Sequence, residues 1–378
     1  MSLKDKCAIV GLGYTAQGRV PGRSPMSFYV EASKNAVVDA GLQVQDIDGI
    51  IIQPCPIDPR VTAFGLAQEM GLNLRFGADQ QLHGASSCAI IQHAAMAVDA
   101  GLCDYCLCAF ADASLSASPS LGVVYQMALG TEAAYGMFGV AGGYAMIARR
   151  YMHEYGVTSR QFGAVSVAFR KHASLNPIAQ MREPITIDDH QNSRWVVEPL
   201  HLLDCCLVSD GGRAVIVTSA ERARNLRHPP VYVMGMGQGH PFNDPLQRQT
   251  LTVTGAVESG KTAFAMAGIT PADVDVCAIY DSFTFVVPIQ LEDLGFCGKG
   301  EGGAFVEEGR IALDGELPTN TSGGLLSEVY IQGWVGTHEA VRQLRGDCGQ
   351  RQVPDAEIAL VTSSGGILSH HAILILRR

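Results

Sequence analysis

Two tyrosines stand in short segments that are rich in glycine, serine and other small polar residues. Tyr280 lies in Ala278-Ile-Tyr-Asp-Ser-Phe-Thr284, and Tyr330 follows Asn320-Thr-Ser-Gly-Gly-Leu-Leu-Ser327. A phenol whose pKa is tuned by its neighbours can donate or accept a proton during a reaction, whereas it is a poor activator of a thiol. These side chains are therefore candidates for proton transfer in a reaction.

A second candidate chemistry centres on Cys88, in Gly84-Ala-Ser-Ser-Cys88. Cys88 falls one helical turn after Gly84, so its thiol could reach the same cavity as a nucleophile. His370 or His371 could then activate it. Equally, a cysteine at the start of an apolar helix is most often a small core residue, and either histidine could orient a substrate or only pack. The tyrosine hypothesis is favoured, and these alternatives stay open.

The remaining cysteines give little sign of a metal site. Cys103, Cys106 and Cys108 lie in or beside an apolar run that is typical of a buried strand, and no second cluster with zinc spacing follows. The eleven cysteines are an odd number spread over apolar segments, which predicts buried free thiols rather than a disulfide framework. We therefore expect no metal.

The elements that carry these residues occur twice along the chain. Residues 35–52 and 262–279 both have the pattern of a helix, a glycine stop, an acidic turn and an apolar strand. Strands that alternate with helices predict an α/β fold with a largely parallel sheet. We divide the chain into halves at 1–228 and 229–378, with a loop-domain insertion at about 114–201.

Composition narrows the class of protein and of partner. Hydrophobic residues make up 47% of the 378-residue chain and charged residues 17%, as in a compact α/β enzyme. The formal net charge of −10 argues against nucleic acid and an anionic membrane surface as main partners. We expect no membrane span, because no apolar run reaches about 18 residues. The first residues show no secretory pattern, so we expect a cytoplasmic protein.

The order of these segments across essentially the whole chain resembles the thiolase superfamily, in its sterol-carrier-type branch. Besides the loops, matching pieces lie in order at 170–179, 198–204, 209–215, 291–296 and 343–346. The resemblance implies a thiolase-like five-layered αβαβα fold, in which two duplicated halves with mixed sheets enclose central buried helices. It also implies a homodimer that acts on coenzyme A thioesters, with coenzyme A as part of the substrate and no tightly bound cofactor.

The groups that do the chemistry in a thiolase are replaced here. The place of the nucleophilic cysteine falls on Gly84, which cannot be acylated. Tyr330 stands at the place of the activating histidine, Tyr280 at that of the oxyanion asparagine or histidine, and the second cysteine falls near Thr362. The same replacements resemble the thiolase-related acyl-CoA aldolases that lack the nucleophilic cysteine.

That resemblance implies retro-aldol cleavage of a β-hydroxyacyl-CoA between Cα and Cβ, with Tyr280 and Tyr330 as the acid/base pair. Backbone N–H groups near Gly84 and Ala85 and at Gly366 are implied to hold the enolate oxygen. The loops implied to hold oxyanion and substrate contain Gly84, Ala85, Ser86, Gly323, Gly324 and Gly366. The resemblance further implies a small partner protein with a zinc ribbon and an OB-fold. The alternatives are a thiolase-like acyltransferase that uses Cys88 and a non-catalytic subunit that binds lipid or acyl-CoA.

Overall fold

The computed structural model describes residues 2–117, 134, 136, 139–241 and 247–378. The strands within these residues are β1 (Cys7–Tyr14), β2 (Gly49–Ile52), β3 (Phe76–Asp79), β4 (Tyr105–Ala113), β5 (Trp195–Val197), β6 (Leu200–His201), β7 (Asp210–Ser219), β8 (Val231–Gly239), β9 (Val276–Ala278), β10 (Ile358–Gly365) and β11 (His370–Arg377).

The α-helices within the same residues run from short single turns to 17 residues. They are α1 (Pro25–Ala40), α2 (Ala63–Met70), α3 (Ser86–Asp99), α4 (Ser114–Ala117), α5 (Gly139–Tyr155), α6 (Ser159–Ser174), α7 (Ile187–Asn192), α8 (Ala220–Ala223), α9 (Ala256–Ala267), α10 (Val286–Asp293), α11 (Gly302–Glu307), α12 (Gly324–Ser327) and α13 (Trp334–Arg345). Short 3₁₀ turns cover Val44–Asp46, Leu202–Asp204, Pro271–Asp273 and Gly349–Arg351.

The main sheet repeats one strand pattern twice. Its order is β3-β2-β4-β7-β1-β8-β11-β10-β9, and β5 and β6 form a separate ribbon. The last main-sheet strand of each half is antiparallel to both of its neighbours: β7 lies between β1 and β4, and β11 lies between β8 and β10. Among the strands of the described residues, the parallel pairs are β2 with β3, β2 with β4, and β9 with β10. The expectation of a largely parallel sheet is therefore wrong, because each half returns its last strand in the opposite direction, and the expected mixed sheets are confirmed.

Five layers follow from the helix contacts. The α1 helix packs on the outer face of β1, β4 and β7, and α9 packs likewise on β8 and β11. Between the halves lie α3 and α13, which contact each other and strands of both halves. The α3 helix can occupy this central layer because its small and apolar residues are buried around almost its whole circumference. The thiolase-like αβαβα fold with central buried helices is thus confirmed.

The segment between β4 and β7 adds no strand to the main sheet within the described residues. It contains α5, α6, α7 and the β5–β6 ribbon. Residues 159–174 have a helical pattern in the sequence, and α6 covers them. It begins at Ser159 because the Thr158 hydroxyl accepts from the N–H of Gln161 and the Gln161 side chain accepts from the Thr158 N–H. The boundaries 1–228, 229–378 and 114–201 themselves stay predictions.

The ends of two parallel strands place the candidate site. The β9 strand ends at Ala278, two residues before Tyr280, and β10 ends at Gly365, one residue before Gly366. Because β9 and β10 are parallel neighbours, their carboxyl ends meet at the same edge of the sheet. The loop that leads into α3 reaches this edge from the other half, so Gly84 arrives there too.

Candidate active site

A cavity of about 490 Å³ opens where these loops meet. Both Tyr280 and Tyr330 line it, together with Gly84 and Gly366. Its other described wall residues are His83, Gly139, Val140, Ala141, Tyr144, Val196, Cys205, Cys206, Leu207, Val208, Ser282, Phe283, Gln332, Ser364 and Gly365. Most of this wall is apolar and much of it comes from the segment between β4 and β7, so the insertion shapes the space for an acyl group.

The ring of Tyr280 fills the space that a side chain at position 84 would need. A Cβ built on Gly84 would lie 2.5 Å from Tyr280 Cζ and closer still to the Tyr280 hydroxyl and the Ser364 carbonyl. On its other side the ring reaches within 3.1 Å of a Cβ built on Gly333, whose φ of +84° already favours glycine. The lack of side chains at Gly84 and Gly333 therefore leaves the space that the Tyr280 ring occupies, and no thiol fits at position 84 beside the ring.

Two hydrogen bonds to neighbouring side chains fix the backbone of Tyr280. Its N–H donates to Thr362 Oγ1 at 2.9 Å, and its carbonyl accepts from Gln290 Nε2 at 2.9 Å. The Thr362 hydroxyl in turn donates to Gln290 Oε1 at 2.7 Å. Thr362 therefore positions the loop of Tyr280, and Ser364, two residues further on, is the β10 residue that lines the cavity. The place of the second cysteine near Thr362 stays a prediction.

Asp281 ties the two tyrosine loops together. Its carboxyl group accepts from the N–H groups of Leu325 at 2.9 Å and Leu326 at 3.2 Å, at the start of α12. Burial raises the pKa of Asp281 to about 7, against the effect of these donors. A Cβ on Gly324 would collide with this carboxyl group, so Gly324 leaves the space that Asp281 needs to accept these hydrogen bonds.

Tyr330 lies in the connection between α12 and α13. The sequence has the pattern of a glycine/serine loop that leads into a helix from Gly323 to Leu344, and the structure forms α12 and then α13 there, with Tyr330 between them. The Tyr330 N–H donates to Ser209 Oγ at 3.1 Å, and this hydroxyl donates to Gln180 Oε1 at 2.7 Å. Within this connection Tyr330 is half-buried and lines the cavity wall.

Several other predicted residues do not line the cavity among the described residues. The N–H of Ala85 donates to the Leu82 carbonyl at 3.1 Å, so its predicted use as an oxyanion donor is wrong. Ser86 Oγ accepts from the Leu82 N–H at 2.7 Å and shapes the same turn. Gly323 lies against α6, where a Cβ would come 2.5 Å from Ala173 Cβ. Gly323, Gly324 and Ser86 thus shape loops and do not form the cavity wall.

Cys88 is fully buried in α3 and points to the second half. Its Sγ lies 3.8 Å from the Val361 carbonyl, and its N–H lies 3.4 Å from Ser363 Oγ. Burial raises the pKa of Cys88 to about 12, so the thiol is protonated at neutral pH. This placement is that of a small core residue and not that of an activated nucleophile.

His370 and His371 stand behind the cavity wall. His371 is fully buried, its Nε2 lies 3.3 Å from Ser364 Oγ, and burial lowers its pKa to about 3. His370 stacks on His83 with ring centres 6.3 Å apart, and its Nδ1 lies 3.1 Å from that of His240. Burial also lowers the pKa of His370 to about 4. Both rings are neutral at neutral pH, and neither reaches Cys88 in a described hydrogen bond.

Within the described ranges, no group of three histidine, cysteine, aspartate or glutamate side chains is arranged to hold a metal ion. Cys106 and Cys108 lie buried in β4, and Cys103 is buried just before it. In the same ranges, no helix is both long and apolar enough to cross a membrane.

Comparisons with known proteins agree with this fold. Residues 237–378 match the family model of the thiolase C-terminal domain-like proteins. The chain is 40% identical to the steroid side-chain-cleaving aldolase of Thermomonospora curvata, over 98% of both chains. It is 42% identical to the 17-hydroxy-3-oxo-4-pregnene-20-carboxyl-CoA lyase of Mycobacterium tuberculosis, over 98% of this chain and 100% of that one.

A solved structure described as the Ltp2-ChsH2(DUF35) aldolase superposes with a TM-score of 0.90 at 39% identity, over 99% of this chain and 98% of that one. Identity of this degree over nearly the whole length shows common descent and not the fold alone. The chain therefore belongs to the thiolase superfamily, among its aldolase-like members.

Proposed function

We propose that this chain is an acyl-CoA carbon–carbon lyase that cleaves a β-hydroxyacyl-CoA between Cα and Cβ. The observation that carries the proposal is the ring of Tyr280, which occupies the space of a nucleophilic side chain at Gly84. The site therefore has no place for an acyl-enzyme at that position, whereas it presents two phenols to one cavity. The relatives named as an aldolase and a lyase support the same reaction class.

In the proposed mechanism, one of Tyr280 and Tyr330 takes the proton of the β-hydroxyl group in its phenolate form. The C–O bond becomes a carbonyl, the Cα–Cβ bond breaks, and its electron pair passes to Cα and onto the thioester oxygen as an enolate. The other tyrosine, in its phenol form, then protonates Cα. A ketone or aldehyde and a shorter acyl-CoA leave the site, and proton exchange with solvent restores both tyrosines.

The substrate we propose carries a bulky apolar acyl group of the steroid side-chain type. Val140, Ala141, Val196 and Phe283 give the cavity an apolar wall, and its volume of about 490 Å³ lies within the usual range for small-molecule sites. The names of the two relatives point to the same class of acyl group. Coenzyme A enters as part of this substrate, with no tightly bound cofactor.

We also propose a homodimer. The β3 strand is an end strand of the main sheet, so its outer edge has no strand partner within the described residues. Phe64 lies over this edge with 64% of its surface exposed, beside Gly77 of β3. An open edge strand next to an exposed aromatic ring is suited to pairing with the same strand of a second copy.

A small partner protein of the zinc-ribbon and OB-fold kind is proposed for a different surface. Trp195, Val196 and Leu202 are 50%, 40% and 44% exposed, and Val196 also lines the cavity. A cluster of exposed apolar side chains at a cavity suits a protein contact. The description of the similar structure as the Ltp2-ChsH2(DUF35) aldolase supports a second component.

Since all eleven cysteines are free, we propose the cytoplasm as the compartment.

Two measurements test the proposed function. The protein, alone and with a co-expressed small partner, is incubated with a β-hydroxyacyl-CoA, and release of a ketone or aldehyde is followed. Tyr330→Phe with unchanged folding should lose turnover. Intact-mass analysis after incubation with acyl-CoA should show no acyl adduct. Wild-type turnover in the Phe variant refutes the tyrosine mechanism, and an adduct refutes the reaction class.

A further inference from the structure

Gln332 lines the same cavity as the tyrosines, two residues after Tyr330 and directly before Gly333. Only 4% of its surface is exposed, and its φ is +48°, in the left-handed region that non-glycine residues rarely adopt. Such a backbone costs on the order of 1–3 kcal/mol and persists where surrounding contacts impose it, often at functional sites. A chain of hydrogen bonds from Trp334 through Gln53 imposes the orientation of this side chain.

The indole of Trp334 fixes the amide of Gln53. Trp334 Nε1 carries a proton and can only donate, and it donates to Gln53 Oε1 at 3.2 Å. The oxygen of Gln53 is therefore identified, and Gln53 Nε2 must be its donor end. That nitrogen donates to the His83 carbonyl at 3.0 Å and to Gln332 Oε1 at 3.1 Å.

The amide of Gln332 is oriented in turn. Its Oε1 accepts from Gln53 on the inner side, so its Nε2 carries two protons on the other side. Among the described residues, no hydrogen bond engages Gln332 Nε2, although the residue is almost wholly buried and borders the cavity. The wall of the cavity thus contains an oriented, neutral N–H donor beside Tyr330.

We propose that Gln332 is a catalytic residue whose amide N–H donates to the thioester oxygen as the enolate forms. The proposal rests on the retro-aldol function above and adds the residue that stabilises its charge. An amide does not titrate at neutral pH, so Gln332 cannot serve as the acid or the base, and donation is the role left to it. It takes over a task for which the Ala85 N–H is unavailable, since that group donates to Leu82.

The experiment compares two half-reactions in wild type, Gln332→Met and Gln332→Glu. The first is cleavage of the β-hydroxyacyl-CoA. The second is exchange of the α-protons of the shorter acyl-CoA product in D₂O, which requires enolisation of the thioester but no β-oxygen. Gln332→Met keeps the side-chain length and removes the donor, and Gln332→Glu replaces it with a group that repels an enolate. Gln68→Met at an exposed position of α2 is the matched control.

We expect both Gln332 variants to lower kcat for cleavage and the exchange rate by about 10²–10³-fold, as for removal of one oxyanion donor, with KM little changed. Trp334→Phe, which removes the N–H that orients Gln53 together with part of a fully buried ring, should lower both rates less. Folding is checked by melting temperature, and if one Gln332 variant does not fold, the other carries the comparison.

Three results would overturn the proposal. Wild-type rates of both half-reactions in a folded variant exclude a catalytic role for Gln332. Slow cleavage with normal exchange moves the donor to the β-oxygen and refutes its assignment to the thioester. A wild-type protein that neither cleaves nor exchanges, with its partner present, refutes the proposed function itself. The last result is distinguishable because it appears before any substitution is made.

Discussion

The substitution Gly84→Ala tests the packing on which the proposed function depends. The added Cβ would stand 2.5 Å from Tyr280 Cζ, against 3.4 Å for an ordinary contact, so the ring must retreat by about 0.9 Å. The Ser364 carbonyl closes in on the same point, and the backbone cannot give way as a side chain can. We therefore expect the upper end of the usual cost of overpacking, about 3 kcal/mol.

The expected effects on stability and activity follow from these distances. At about 2.1 cal/mol/K of unfolding entropy per residue, 378 residues give about 0.8 kcal/mol/K, so about 3 kcal/mol lowers Tm by about 4 °C. A shift of nearly 1 Å in a reacting group costs about 10²-fold in rate, so kcat should fall by at least that factor. Tm is measured by differential scanning calorimetry and kcat by ketone or aldehyde release.

The control is Gly65→Ala in α2, where the nearest atom to the added Cβ would be the capping hydroxyl of Thr62, at 3.3 Å and so close to an ordinary contact. This variant should keep its Tm within about 1 °C, since alanine favours the helix and offsets a slight contact. The reasoning is refuted if Gly84→Ala melts and turns over like the wild type, because the ring of Tyr280 then cannot lie against position 84.

Three further outcomes are expected. Cys88→Ala should keep its turnover, because the thiol lies outside the cavity wall, and loss of cleavage in a folded variant would revive the nucleophile hypothesis. Asp204→Ala should lower the free energy of unfolding by about 3 kcal/mol in denaturant titrations, because it removes the carboxylate that accepts hydrogen bonds from the Thr284 hydroxyl and the His190 ring. An unchanged denaturation midpoint would contradict this prediction. Stability should fall as pH drops from about 6.5 toward 3, because His371 binds a proton in the unfolded chain, whereas the buried ring, with a pKa of about 3, stays neutral. His371→Gln should flatten that part of a curve of Tm against pH. Identical curves for the variant and the wild type would refute this prediction.

Much of the fold could be predicted from local sequence signals. The bounds of α6 are those that the pattern indicates, since Thr158 supplies a cap and apolar residues recur at helical spacing. The direction of β7 and β11 could not be predicted this way. An apolar strand run has the same pattern in either direction, and only its neighbours decide which one it takes.

For the candidate site, too, one part could be predicted from the sequence and another could not. The resemblance brought Tyr280, Tyr330, Gly84 and Gly366 to attention, and the structure places all of them on one cavity wall. The predicted place near Thr362 is compatible with both Thr362 and Ser364, because the two residues share a face of β10, where side chains alternate with a period of two. Their spacing alone cannot show which one lies at the level of the cavity.

Gln332 could not have been found from sequence at all. The orientation of the Gln332 amide depends on Gln53, which lies 279 residues earlier in the chain. The orientation of the Gln53 amide depends in turn on Trp334, which lies 281 residues after Gln53. A glutamine without a motif around it gives no local signal of this arrangement. Only the packing of the two halves brings the three side chains together, so the donor is a product of the tertiary structure.

The change from a nucleophilic to a proton-transfer site involves the backbone as well as the side chains. Removing the ring of Tyr280 would clear one of the two obstacles at position 84, but the Ser364 carbonyl would still lie inside the contact distance of a Cβ. That carbonyl belongs to β10, which is paired along its length with β11 and also with β9. A double variant Gly84→Cys with Tyr280→Asn should therefore remain unable to form an acyl-enzyme, because a thiol at position 84 needs the end of β10 to move. An acyl adduct on Cys at position 84, seen by intact mass in that variant, would show that the side chain of Tyr280 alone excludes the nucleophile.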